Sequence, residues 1–344
     1  MKKLVICSDE SVIGGRIRTG LAEAVDSLAV SLARDYEVTV VTEKGEHPFP
    51  LKDGRIFGVD YVLTGRPAAA IGRIHPDILH NFGNPELPGR LRERPERSIY
   101  TIDRAEAVEG KCLSGYDAVT TVSKSYAEEI RGRVPEVIGI PNGILTEVLD
   151  PSAGLLIPAR YDASDLSGKK ICKKRLCREV GLDPAKPLFL YLGRMEREKG
   201  ADLAQDMAEE IVSLGGSALY IGTGSVDRKN LPEGCVRVNQ MLQPLACLSV
   251  LAGADFLLYP SRSEPCGLMP MTACRYGTIP VTTLAGGLRD NMDEEIAVII
   301  SRGLEDALER CFASPPDPRA GMARDFSWKT RKRGYLALYE GASA

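Results

Sequence analysis

Short apolar runs and longer stretches with helical spacing alternate along the chain. "KLVIC" near the start suits a strand buried on both faces. A glycine-rich turn, "SVIGGRIRTG", follows it. "LAEAVDSLAVSLAR" then places Leu21, Ala24, Val25, Leu28, Ala29 and Leu32 on one helical face, and "YEVTVVT" reads as the next strand. Strand, helix and strand at this spacing predict a right-handed crossover unit. Further strands are expected at "DILHNF" (77–82), "SIYTI" (98–102) and "DAVTTVS" (117–123). "KSYAEEIRG" predicts a helix and "EVIGIPNG" a strand ending in a turn. Residues 1–148 therefore predict one parallel α/β domain.

Residues 149–187 have little strand character and much charge. They predict an irregular connector and one basic helix, Ser167 to Val180, carrying Lys169, Lys170, Lys173, Lys174, Arg175 and Arg178. Its basic face is either simply solvated or a contact surface for an anionic or polysaccharide partner. Strand and helix patterns resume over 188–325 with "LFLYLGR", "ALYIGTG", "ADFLLYPS" and "TIPVTTL", followed by the helix "GLEDALERCF". A closing helix, "SWKTRKRGYLALYE", lies within 326–344. The pattern as a whole predicts an α/β chain with two Rossmann-like, doubly wound domains facing a central cleft between their strand ends.

A length of 344 residues suits two such domains. Hydrophobic residues make up 44%, charged residues 26%, and the formal net charge is -3, with acids and bases mixed. No nucleic-acid or membrane partner is implied. Nine scattered cysteines without a CxxC pair fit neither a disulfide framework nor a zinc cage, and predict thiols in a reducing cytoplasm. "MKKLVICSDE" reaches charge after four apolar residues, too soon for a signal peptide or a membrane span.

The chemistry concentrates in "YPSRSEPCGLMPMTACRYGTIPV", residues 259–281. A buried strand runs into this stretch and a helix, Leu268 to Tyr276, runs out of it. Pro270 is tolerated in the first turn, and Gly277 suits a left-handed stop. The amides near Gly267 and Leu268 then carry about half a positive charge and can bind phosphate. A carboxylate at Glu264 beside that site would be repelled by phosphate alone. It makes sense if it faces sugar hydroxyls or the developing positive charge of an anomeric carbon. "GRMEREKGADL" (193–203) supplies compensating cations, Arg194 and Lys199. No two aspartates stand two positions apart, so a metal-clasping Asp-x-Asp is missing; no metal and no cofactor is expected. Gly222 and Gly224 in "YIGTGS" either approach a nucleotide or form a simple turn. His47 and His75 beside prolines read as loop residues. Cys266 has no histidine near it in sequence to activate it, which argues against a nucleophile.

These motifs resemble the bacterial, archaeal and plant glycogen and starch synthases, retaining glucosyltransferases of the GT-B fold. The matching stretches are "YPSRSEPCGL", "CRYGTIPVTTLAGGLRD", "YLGRMEREKG", "TVSKSYAEEI", "IPNGI", "IPARYDASDLSGKKICKKRLCREVGL" and "DFSWKTRKRGYLALYE". The resemblance implies transfer of glucose from ADP-glucose, or UDP-glucose, to an α-1,4-glucan with retention. It implies that Arg194 and Lys199 bind the diphosphate and that Glu264 holds the donor glucose. Cys266, Gly267 and Leu268 would line the sugar and phosphate site, with Gly286 and Gly287 in a nearby turn. The closing helix would pack back on the first domain.

Departures fall mainly in the first half. The family's Lys-x-Gly-Gly-Leu turn becomes "IRTGLAEA", where Arg18 stands in for the lysine beside Gly20. "TIDRAEA" places Asp103 where a sugar-contacting histidine is usual. Asp103 either holds a donor-sugar hydroxyl or caps the helix after it. Of the His-rich acceptor segment only His80 in "LHNFGN" remains. Met269 replaces a threonine, and "VRVNQMLQPLAC" lacks the tyrosine expected near the base. Two other readings therefore stay open: a non-catalytic GT-B protein that binds a nucleotide sugar or glucan, and a transferase with another donor or a small acceptor. The oligomeric state is left open.

Overall fold

Runs of β-branched and aliphatic residues form the strands of two sheets in the computed structural model, which describes residues 1–13, 20–43, 54–154, 156–226 and 230–342. The chain divides into two compact units: Met1–Leu145 with Phe326–Ala344, and Thr146–Asp325. Each contains one Rossmann-like sheet.

The first unit contains β1 (Lys3–Ser8), β2 (Glu37–Thr42), β3 (Gly54–Ile56), β4 (Val59–Leu63), β5 (Ile78–Asn81), β6 (Arg97–Ile102), β7 (Ala118–Thr121) and β8 (Ile138–Gly139). They pair in the order β3-β4-β2-β1-β5-β6-β7-β8; all pairs are parallel except β3 with β4. Side-chain alternation along central β1 explains its unbroken apolar run. Leu4 and Ile6 pack with Val25, Leu28 and Leu32 of the Gly20–Leu32 helix. Val5 and Cys7 pack on the opposite face with Ile71 of the Pro67–Ile74 helix.

The closing segment forms two short helices, Trp328–Arg331 and Arg333–Tyr339. Trp328 is buried and its indole N–H donates to Ser27 Oγ at 2.8 Å. His80 is a core residue. Its Nδ1 lies 2.6 Å from Tyr339 Oη, its Nε2 lies 2.6 Å from Thr101 Oγ1, and its ring stacks on Phe82. Both ring nitrogens are thus engaged inside the unit. Burial pushes the imidazole pKa down to about 3, so it is neutral near pH 7.

The second unit contains β9 (Leu188–Leu192), β10 (Ser217–Ile221), β11 (Cys235–Val238), β12 (Phe256–Tyr259), β13 (Ile279–Thr282) and β14 (Val298–Ile299). They form an all-parallel sheet in the order β11-β10-β9-β12-β13-β14. From β9 the chain builds outward to β11, then returns to the other side of β9 to lay down β12. The strand order therefore reverses between β9 and β12, where an open parallel sheet leaves a crevice beyond its carboxyl ends.

The basic helix Ser167–Val180 is less solvated than its composition predicts. It packs on the Pro244–Gly253 helix through Cys172, Leu176 and Cys177. Lys173 pairs with Asp255 at 2.6 Å, and Lys169 points inward. The Lys169 ammonium donates to Tyr276 O at 3.0 Å, Thr278 Oγ1 at 2.9 Å and Ala252 O at 3.3 Å. Those carbonyls close the Pro244–Gly253 and Leu268–Arg275 helices, whose ends favour a cation. Burial pushes the Lys169 pKa down to about 8, still high enough for protonation at neutral pH. Lys169→Met is expected to destabilise the protein by about 2–3 kcal/mol, because buried acceptors lose a charged donor. Lys170→Met, on the exposed side of the same turn, should stay within about 0.5 kcal/mol. Urea unfolding of both variants checks this; equal midpoints would contradict it.

A candidate active site at the strand-order reversal of the second unit

The site is built from the loops that leave β9 and β12. The β9 loop begins at Gly193, whose φ is +152°, with open space where a Cβ would stand. Its backbone is held to the loop after β10: the Gly193 N–H donates to Ile221 O at 3.0 Å and the Met195 N–H to Thr223 O at 2.8 Å. Gly222 and Gly224 belong to that second loop. A Cβ on Gly222 would lie 1.8 Å from Gly193 O, and one on Gly224 would lie 2.4 Å from Met195 O. Close packing of the two loops is thus a sufficient reason for both glycines.

Arg194 is half-buried, and the Tyr191 hydroxyl donates to its carbonyl at 2.7 Å. Its guanidinium, a group of five donors, makes no ion pair with any described residue. A one-turn helix, Arg197–Lys199, then ends at Gly200, whose φ is +69°. A Cβ on Gly200 would lie 2.0 Å from Pro260 O, so the glycine lets the β9 and β12 loops touch. Arg262 completes the join. Its guanidinium makes two bonds to Asp202, at 2.7 and 3.0 Å, and its backbone N–H donates to Glu198 O at 2.9 Å.

That join brings Lys199 to Glu264. The ammonium lies 3.3 Å from Glu264 Oε2 and donates to Ser263 O at 3.0 Å. It also lies 3.4 Å from Glu198 Oε1. Glu264 is largely buried, with side-chain exposure of 11%. Two further donors hold it: Tyr259 Oη, 2.6 Å from Oε2, and the Gly267 N–H, 3.2 Å from Oε1. The Gly267 amide was expected to serve an anion; the Glu264 carboxylate takes it instead, because Gly267 in the left-handed region (φ +87°) turns its N–H back into the loop. The next amides, of Leu268 and Met269, open the Leu268–Arg275 helix and have no acceptor in the preceding turn.

Gly287, which follows Gly286 in the turn after β13, packs against this loop. The Gly287 N–H donates to Glu264 O at 2.8 Å, and a Cβ there would lie 2.4 Å from Pro265 O. Asn291 Nδ2 donates to Cys266 O at 2.7 Å, fixing the carbonyl of a residue whose own side chain is buried. Contacts thus join Lys199, Glu264, Cys266, Gly267 and Gly287, with Leu268 and Gly286 next to them in sequence, while Gly222 and Gly224 pack on Gly193 and Met195, the neighbours of Arg194. Sequence reasoning missed Tyr259, Asn291 and the Arg262–Asp202 pair. Only the last left a trace, as an aspartate in "GRMEREKGADL" and an arginine in "YPSRSEPCGL".

Asp103 and Gly20 lie in the first unit. Asp103 follows β6, with side-chain exposure of 17%, and faces Arg104 Nε at 3.5 Å. Burial raises its carboxyl above the ordinary range, with Arg104 acting against the shift. It is not a helix cap: Arg104 holds the N-cap of the Ala105–Val108 turn, with no side-chain cap bond. Gly20 opens the Gly20–Leu32 helix. Arg18 and His47 lie outside the described residues. His75 is exposed and pairs with Glu93 at 3.1 Å. Among the described residues, no group of His, Cys, Asp and Glu is arranged to hold a metal ion, and no helix is long and apolar enough to cross a membrane.

Known proteins match this arrangement. The family model "Glycosyl transferases group 1" matches residues 186–313. A glycogen synthase from Anaeromyxobacter sp. (strain Fw109-5) is 37% identical over 270 residues, 66% of this chain and 56% of the relative. A glycogen synthase from Acidiphilium cryptum (strain JF-5) is 35% identical over 295 residues, 72% of this chain and 62% of the relative. The chain thus spans little more than half the length of these relatives. The catalytic domain of starch synthase IV from Arabidopsis thaliana, solved bound to ADP and acarbose, covers 99% of both chains with a TM-score of 0.83 at 20% identity. Sucrose-phosphate synthase from Thermosynechococcus elongatus also covers 99% of both, with a TM-score of 0.70 at 16% identity. These matches and the two Rossmann-like sheets make the chain a GT-B glycosyltransferase by fold, similar to glycogen synthases over about two thirds of its length.

Proposed function

We propose that this protein transfers glucose from ADP-glucose, or UDP-glucose, to the end of an α-1,4-glucan with retention at the anomeric carbon. The observation that carries this reading is the meeting of Lys199 and Glu264 at 3.3 Å, with Arg194, whose guanidinium pairs with no described residue, in the same β9 loop as Lys199. A diphosphate needs cations, a hexose needs a hydrogen-bond acceptor, and this site offers both within one loop pair.

Arg194 and Lys199 would take the diphosphate oxygens, helped by the first-turn amides of Leu268 and Met269. Glu264, held as an acceptor by its neighbours, would bind a donor-sugar hydroxyl. The bond from the anomeric carbon to the diphosphate oxygen breaks, and its electron pair leaves with the nucleoside diphosphate. The acceptor hydroxyl oxygen bonds to the same face of that carbon, and its proton passes to the departing phosphate oxygen. The two cations stabilise the charge that develops on the leaving group. In this reading no protein group need act from the opposite face.

Incubation with radiolabelled ADP-glucose or UDP-glucose and glycogen tests the proposal. The expected result is label in polymer that α-amylase releases. Binding of either nucleotide sugar without turnover would overturn it in favour of a non-catalytic binding protein. Transfer from another nucleotide sugar, or to a small acceptor, would overturn the donor and acceptor named here.

A further inference from the structure

We propose that Tyr259 is a positioning residue that fixes the Glu264 carboxylate in the orientation used to bind the donor hexose. The inference rests on the transferase reading above. Tyr259 is the last residue of β12, and its main chain is set by pairing with Thr282 of β13, whose hydroxyl donates to Tyr259 O at 3.0 Å. The phenol therefore projects from a fixed strand end, and its Oη lies 2.6 Å from Glu264 Oε2. That separation falls in the range of charge-assisted O–H···O⁻ bonds. Burial, with the adjacent carboxylate, keeps the phenol pKa well above its usual value, so it donates throughout the working pH range.

Lys199 shares the same Oε2 at the longer distance of 3.3 Å. An ammonium that turns to a diphosphate weakens its hold on the carboxylate. Tyr259 is then the side-chain donor that remains on Oε2 among the described residues. Among the described residues Oε1 accepts a single bond, the 3.2 Å contact from the Gly267 N–H, and so keeps acceptor capacity for a sugar hydroxyl. A hydroxyl anchor on one oxygen and an amide anchor on the other prevent rotation of the carboxylate. Loss of one anchor would loosen it without removing its charge.

Tyr259→Phe deletes only the oxygen and tests this. With the full chain and whichever of ADP-glucose or UDP-glucose the wild type uses, kcat is expected to fall about 10–100-fold while the donor KM changes less than about 3-fold. The Kd for the free nucleoside diphosphate should stay at the wild-type value, since it does not sense the sugar, and the melting temperature should fall by no more than a few degrees. A kcat within about twofold of wild type would overturn the inference and leave the transferase reading standing. So would a kcat loss accompanied by a similar fold-loss in diphosphate affinity and a drop of more than about 10 °C in melting temperature, which would mark a structural role. A wild-type protein without turnover would overturn the transferase reading, and this inference with it.

Discussion

Replacing Arg194 and Lys199 together by alanine is expected to lower glucose transfer by about 10⁴-fold, with a loss of only a few degrees in melting temperature. Removal of one group that stabilises transition-state charge costs about 10²–10³ in kcat, and groups acting on the same leaving diphosphate combine less than additively. The fold should tolerate both changes. Arg194 supports no described ion pair, and the Lys199 contacts sit at the site's edge, with side-chain exposure of 18%. Loss of one partly buried charged donor costs about 1.5–3 kcal/mol, a few degrees of melting temperature in a chain of this size. Glu264 keeps Tyr259 and the Gly267 N–H in the double variant. Arg194→Lys should recover only part of the lost rate, because an ammonium cannot grip two phosphate oxygens in parallel. Initial rates with saturating donor measure all three proteins; a double variant within tenfold of wild type would contradict the assignment.

The second large effect is on stability. His80→Leu is expected to destabilise the first unit by about 3–5 kcal/mol, since it strands the Tyr339 hydroxyl and removes a partner of Thr101 inside the core. The penalty should depend on pH in a defined direction. The folded pKa of His80, about 3, lies below the ordinary 6.5. Between these values the unfolded chain binds a proton that the folded chain refuses, so wild-type stability falls as pH drops below 6.5. The variant lacks this loss. The gap between the two should therefore narrow by about 1.4 kcal/mol per pH unit on acidification below pH 6.

Asp26 works in the opposite sense. Its carboxylate accepts from Ser11 Oγ and the Val12 and Ile13 amides, yet burial raises its pKa from 3.8 to about 6. Between those values the folded state holds a proton that the unfolded chain has released, so this group adds stability as pH falls from 6 toward 4. The two slopes oppose each other in the wild type. Comparing wild type and variant at each pH isolates His80, by denaturant unfolding between pH 4 and 7. A constant gap would show that the imidazole titrates normally in the folded protein.

Much of both sheets is legible in the sequence, for a simple reason. A parallel strand covered on both faces needs a continuous apolar run, and "KLVIC", "LFLYL" and "FLLY" provide one. The elements that escaped have weaker patterns. β3 is three residues long and lies at a sheet edge, and β11, "CVRV", is half-exposed and interrupted by Arg237. The Pro244–Gly253 helix, "PLACLSVLAG", is apolar nearly all round, so no helical period marks it. The terminal strand β14 has only two residues.

The site was legible where chemistry dictates residue type and illegible where geometry dictates contact. Glu264, Arg194 and Lys199 stand out as charges placed after buried strands. That Tyr259 ends its strand on Glu264, or that Gly222 and Gly224 yield room to Gly193 and Met195, depends on how loops distant in sequence meet. His80 shows the converse. A histidine in a chain with three of them invites a functional reading, yet its neighbours use both nitrogens.

The central claim is that a diphosphate sits on Arg194 and Lys199 while its hexose meets Glu264. A crystal structure of the wild-type protein with bound ADP-glucose, or UDP-glucose, tests this most directly. The account predicts diphosphate oxygens within about 3.5 Å of the Arg194 guanidinium and Lys199 Nζ, with a glucose hydroxyl on Glu264 Oε1. A nucleotide sugar bound away from these residues, with Lys199 still on Glu264, would contradict it.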